Sequence, residues 1–232
     1  MGSEMCIRDS VYTDDQAEVD NAVQQRLQAL KDFLVDAGAK VREQHLPDID
    51  SAQAHENYLA LLRAATSIGP SEATYADLQQ RAQTTARNAG DYESRMILGT
   101  TMTQREWLYR NEERHRMRLK WQEYFADTDL LLCPAATTVA FEHNQQGERW
   151  ERMIDVNGNP QPTTTALFWA GYPGFVYLPS TVAPIGLAQA NGATLPVGVQ
   201  IIGPQYHDHR CIRFAQLLEQ HYCKFQAPPD FC

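Results

Sequence analysis

Nucleophilic chemistry needs a hydroxyl or thiol held beside a base, and this chain offers few candidates. Outside the first ten residues, serines stand at Ser51, Ser67, Ser71, Ser94 and Ser180, none of them in G-x-S-x-G or in a Gly/Ser cluster. Ser180 alone adjoins a predicted strand end, where Pro179 and Thr181 could set it at a cleft. A polar residue satisfying loop backbone groups accounts for it more simply. The four lysines, Lys31, Lys40, Lys120 and Lys224, fall in helix, strand or tail contexts that do not prepare a desolvated base. Cys133 sits inside an apolar run and reads as a small hydrophobe with a raised thiol pKa. His207-Asp208-His209 could suggest zinc, but adjacent ligands on one short turn rarely reach the same ion and no third ligand is spaced nearby. Asp208 is instead expected to cap the last helix. His45, His55, His115 and His143 are isolated and read as surface or satisfied core residues. No catalytic residue, no metal ligand and no cofactor is therefore assigned.

Aromatic residues are the better binding candidates. Phe168, Trp169 and Tyr172 lie beside Gly171 and Gly174, a composition that can wall an apolar pocket and equally can form an ordinary core cluster. The predicted helix from Thr103 carries Arg105, Arg110, Glu112, Glu113, Arg114, Arg116, Arg118, Lys120 and Glu123. Alternating signs mark it as a solvated face rather than an anion clamp.

The elements that must position these residues follow from periodicity. Val19, Val23, Leu27, Leu30 and Leu34 predict a helix over 16–37, with Gly38 as a left-handed cap. Residues 39–44 read as a short strand completing a βαβ-like unit. Asp50 or Ser51 caps a helix carrying Tyr58, Leu59, Leu62 and Ala65 inward, and Gly69-Pro70 stops it. A second helix is expected over 72–87 and a third from Thr103, where Thr103-x-x-Glu106 spells a capping box. Asp129-Leu-Leu-Leu-Cys-Pro134 predicts a buried strand. Residues 135–165 read as loop, with a turn at Asn157-Gly158 and with Pro160 and Pro162 opposing regular structure. A short helix at 166–170, strands at 175–178 and 195–202, and a helix from Asp208 to Tyr222 with Ile212, Ala215, Leu217 and Leu218 inward complete the chain.

Composition narrows the function classes. The 232 residues, 43% hydrophobic and 21% charged, are those of a globular chain. A formal net charge of -9 argues against nucleic acid as a partner. No apolar run approaches the roughly 20 residues of a spanning helix, so a membrane is not expected either. Five scattered cysteines without a C-x-x-C pair fit reduced thiols and a cytoplasmic location. Residues 1–10 lack a signal peptide's apolar core, look like translated adaptor sequence, and are set aside as a disordered leader.

Three phrases in order, Asp129-Leu-Leu-Leu-Cys-Pro134, Tyr177-Leu-Pro-Ser-Thr-Val-Ala-Pro184 and Leu195-Pro-Val-Gly-Val-Gln-Ile-Ile-Gly203, resemble the C-terminal part of the amidase signature family. The resemblance covers residues 11–232. It implies an α/β fold, an incomplete mixed β-sheet flanked by helices, from an enzyme that hydrolyses amide carbon to nitrogen bonds with a serine nucleophile, a second serine in a cis peptide and a lysine base. The Gly/Ser-rich stretch that carries those serines has no counterpart here. The resemblance thus implies a C-terminal fragment, inactive alone, whose partners in the intact enzyme are a small amide substrate and the missing N-terminal half, with a homodimer also open. It further gives Phe168, Trp169, Tyr172 and Arg114 as substrate-pocket candidates. The alternatives are a non-catalytic binding or scaffold protein that retains the pocket walls, and an unrelated hydrolase using Ser180.

Overall fold

A computed structural model describes residues 7–42, 46–190 and 192–227. Strands β1 (Ile7–Ser10), β2 (Leu130–Pro134), β5 (Ser180–Ala190) and β6 (Ala193–Ile202) form a mixed sheet in the order β1-β2-β6-β5. β1 runs parallel to β2, and the remaining pairs are antiparallel. Every residue of β2 is buried, as is the stretch from Val199 to Ile202 in β6, so side chains on both faces are covered. That explains the uninterrupted apolar runs. Each fully covered Leu or Ile contributes about 1.5–3 kcal/mol of burial. Helices α1 (Asn21–Asp36) and α7 (Asp208–His221) pack on this sheet, with Val23, Leu27, Leu30 and Leu34 buried on α1 and Cys211, Phe214 and Leu218 on α7.

A helical layer is built from α2 (Ser51–Ala65), α3 (Glu72–Ala82), α4 (Tyr92–Thr100) and α5 (Gln104–Tyr124). Their starts are chemically defined. Asp50, Ser71 and Asp91 each accept from a backbone N–H three residues on, and Thr103 with Glu106 makes both bonds of the capping box. A short ribbon, β3 (Met153–Val156) with β4 (Asn159–Pro162), turns at Asn157 and Gly158, both at positive φ (56° and 81°). This is the two-residue turn that Asn-Gly favours. A 3-10 turn over Thr163–Ala166 leads into α6 (Leu167–Gly174).

Several expectations are corrected. Ile7–Ser10, inside the stretch set aside as a leader, pair with β2. The first helix begins at Asn21 rather than residue 16, because Asp20 caps it, while Gly38 does take its left-handed φ of 85°. Residues 39–42 form no strand, and the end of that expected strand lies outside the described residues. Helix α4 was not anticipated, and α3 ends before the expected residue 87. Pro160 and Pro162 sit within β4, tolerated because a two-stranded ribbon leaves outward N–H positions unpaired. The strand expected at 175–178 is a turn; β5 starts at Ser180 and forms a long hairpin with β6. His207, not Asp208, is the cap residue of α7, and Ile212 faces outward at 44% exposure. No described helix is long and apolar enough to cross a membrane.

Candidate functional site

The aromatic segment 168–172 is fixed by one compensated defect. Pro173 lies inside α6 and has no N–H, so the carbonyl of Trp169 loses its helical donor. Gln200, buried on β6, replaces it: its Nε2 donates to the Trp169 carbonyl at 3.1 Å and also contacts Cys133 Sγ at 3.4 Å. Helix α6 is thereby tied to β6 and β2 at once. On its other side Gly171 meets α2 so closely that a Cβ there would lie 2.3 Å from the Tyr58 ring. Gly171 therefore serves close approach rather than flexibility.

Held this way, the rings form a connected cluster. Centroids of Phe168 and Trp169 lie 5.0 Å apart, Phe168 and Tyr172 5.6 Å, Trp169 and Tyr172 5.7 Å, and Trp121 of α5 is edge-on to Tyr172 at 5.7 Å. These separations suit favourable quadrupole contacts. The cluster borders a cavity of about 150 Å³, lined also by Asp14, Leu46, Ile49, Ser51, His55, Tyr58, Met117, Phe175 and Val176. Ser51 donates to Asp14 Oδ1 at 3.0 Å. The His55 ring centroid lies 5.3 Å from that of Phe168, with the rings tilted by 52°, and burial, aided by the charge of Arg95, lowers its pKa to about 4. Burial likewise drives the Tyr172 phenol far above its usual range. Both rings are neutral near pH 7. The cavity can accept a compact apolar group of roughly one aromatic ring, with a few polar groups at its edge.

The four sequence candidates separate. Phe168 and Tyr172 line the cavity. Trp169 stands behind the wall, fully buried, its indole Nε1 without a hydrogen-bond partner among the described residues. Arg114 lies elsewhere, its guanidinium 4.6 Å from the Tyr177 ring centroid, with Arg118 at 4.8 Å from the same ring. Tyr177 itself holds a left-handed φ of 60°. Sequence reading missed Asp14, Ser51, His55, Tyr58 and Trp121 as parts of one site. The signal available for three of them was the spacing 51, 55, 58 on one capped helix.

The remaining sequence candidates do not line this cavity. Ser180 is exposed at the start of β5, and no interaction joins it to a histidine, lysine or carboxylate among the described residues. Cys133 is fully buried, its thiol pushed up to about 12 by desolvation. His207 Nδ1 meets the Gln205 carbonyl at 3.0 Å, and the described residues contain no cluster of three metal-ligating side chains.

The family model for Amidase matches residues 6–212. The chain belongs to the Amidase family. A glutamyl-tRNA(Gln) amidotransferase subunit of Deinococcus radiodurans is 27% identical over 211 residues, covering 85% of this chain and 42% of that protein. The Paenarthrobacter aurescens protein of the same name is 29% identical, with 88% and 40% covered. Among solved structures, a crystal structure of an amidase superposes with a TM-score of 0.64 at 18% identity, covering 95% of this chain and 47% of the other. A bacterial aryl acylamidase of the amidase signature family gives 0.63 at 16%, covering 94% and 44%. Identities this low speak for the fold alone, and they place this Amidase chain in the amidase signature fold. It spans about two fifths of the length of the curated relatives it matches.

Proposed function

We propose that this chain is the C-terminal portion of an amide-hydrolysing enzyme and that its role there is to supply the wall of the pocket that seats the substrate's apolar group. Taken alone it hydrolyses no amide, because acyl transfer requires a nucleophile activated by a base and donors for the oxyanion. The observation that carries this reading is the aromatic-walled cavity of about 150 Å³, in a member of the Amidase family whose described residues show no serine or cysteine side chain bonded to a histidine or lysine side chain. A cavity of that size suits an aryl or similarly compact group, in keeping with a structural neighbour described as an aryl acylamidase. The partner that completes the reaction is the portion bearing the two serines and the lysine.

The test uses the purified 232-residue chain. Benzamide should quench tryptophan fluorescence saturably, through Trp121 beside Tyr172, and Phe168→Ala should weaken that response. Benzamide and acetanilide should show no hydrolysis above the buffer rate. Turnover that follows the protein through purification would overturn the inactivity, and the absence of saturable benzamide binding would overturn the pocket.

A further inference from the structure

The aromatic cavity is bordered by a carboxylate and by no countercharge. Its lining carries the rings of Tyr58, Trp121, Phe168, Tyr172 and Phe175, and among the described residues neither a lysine nor an arginine borders it. His55 is neutral near pH 7, which leaves Asp14 as the one full charge of the lining. Arg95, whose charge reaches His55, is not among the lining residues.

Asp14 is held in place without being neutralised. Its Oδ1 accepts from the Gln16 N–H at 2.8 Å and from the Ser51 hydroxyl at 3.0 Å. Its Oδ2 makes no hydrogen bond or ion pair among the described residues, and it keeps access to the space around it, because the side chain is only half-buried and this oxygen is not among the enclosed, unpartnered atoms. Burial is the main cause that raises the Tyr172 phenol, and the Asp14 charge adds to it, so the carboxylate is felt at the ring wall. Ring faces are electrostatically negative, so the wall and the carboxylate favour the same kind of guest, a cation.

We propose that the group seated here is an aromatic ring bearing a protonated primary amine, the ring against the aromatic wall and the ammonium donating to Asp14 Oδ2. This rests on the reading of the cavity as the seat of the substrate's apolar group, and it narrows that group to an arylalkylammonium. The cavity of about 150 Å³ takes the ring, as a dry cavity of similar size takes benzene. The ammonium then stays at the partly exposed edge, where a charge loses little of its hydration. An uncharged aryl group would leave Oδ2 to water. An aryl carboxylate would set two anions side by side. A quaternary ammonium has no N–H to donate.

Calorimetric titration of the full chain with benzylamine, benzamide and benzoate tests this, three guests with one ring and three charges. Benzylammonium should bind at least about tenfold more tightly than benzamide, and benzoate more weakly than either. Asp14→Asn should remove that preference and leave benzamide binding unchanged, which also shows that the variant is folded. Ser51→Ala removes a donor to Asp14 but not the charge, and should keep the preference. Should Asp14→Asn fail to bind benzamide, salt decides on the parent chain: raising sodium chloride from about 0.05 to 0.5 M should weaken benzylammonium and spare benzamide. The proposal is overturned if benzylammonium binds no more tightly than benzamide, if Asp14→Asn retains the preference, or if salt affects the two guests alike. Saturable benzamide binding in those cases leaves the aromatic seat standing, whereas a chain that binds none of the three guests loses both readings.

Discussion

Cys133 should resist alkylation as long as the chain is folded. With its thiol pushed up to about 12, almost no thiolate exists at pH 8, and the side chain is fully enclosed. Cys211, also buried, is raised to about 11, whereas Cys223 is only half-buried. Of these three, iodoacetamide followed by peptide mass analysis should mark Cys223 first, and Cys133 only once denaturant is present. His55 makes a pH prediction of definite sign. Its folded value of about 4 lies below the free value of 6.5, so as pH falls through that interval the unfolded chain binds the proton before the folded one does. Stability is therefore fully present above about pH 6.5 and declines towards pH 4. In urea titrations, His55→Gln should lose less stability than the parent between pH 6.5 and 4.5; an identical decline in both would contradict the buried neutral ring. Of these residues the sequence marked Cys133 as inert, on its apolar neighbours alone. It did not single out His55, whose environment is assembled from α2, α4 and α6.

Helix α6 is positioned by two contacts, and each can be broken separately. Gly171→Ala drives a methyl group into the Tyr58 ring and should lower stability by about 1–3 kcal/mol, with partial recovery in Gly171→Ala/Tyr58→Ala. Gln200→Leu strands the Trp169 carbonyl beside Pro173 and should cost a similar amount, about 1–3 kcal/mol, read from the shift in urea midpoint. Neither contact could be read along the chain, because each joins residues distant in sequence. What was legible was local. The Thr103/Glu106 capping box, the all-apolar β2 and the Asn157-Gly158 turn depend on near neighbours and were read correctly, and of the two caps offered for α2, Asp50 and Ser51, the structure uses Asp50. The errors fall where partners decide. A strand was expected at 175–178 from its apolar content, yet the pairing partner β6 selects 180–190. Two prolines argued against β4, yet an outward-facing N–H makes them harmless.

Across the molecule, β5 ends the described sheet on one side, with Val182 and Leu187 at 59% and 49% exposure. An open edge with apolar side chains invites strand pairing between copies. Sedimentation of the chain should show concentration-dependent association, and Val182→Lys should shift it towards monomer; a parent that stays monomeric at every concentration would count against the edge as an adhesive surface. Helix α2 lines two cavities, the aromatic one through Ser51, Ala54, His55 and Tyr58 and a polar one through Gln53, Glu56, Asn57 and Ala60, and this shared wall has a different kind of consequence. Because one helix borders two chambers, any tilt that gives more room on the aromatic side takes room from the polar side. Selection for bulkier occupants of one should therefore leave its trace in the other, as paired substitutions at positions that never touch the same guest.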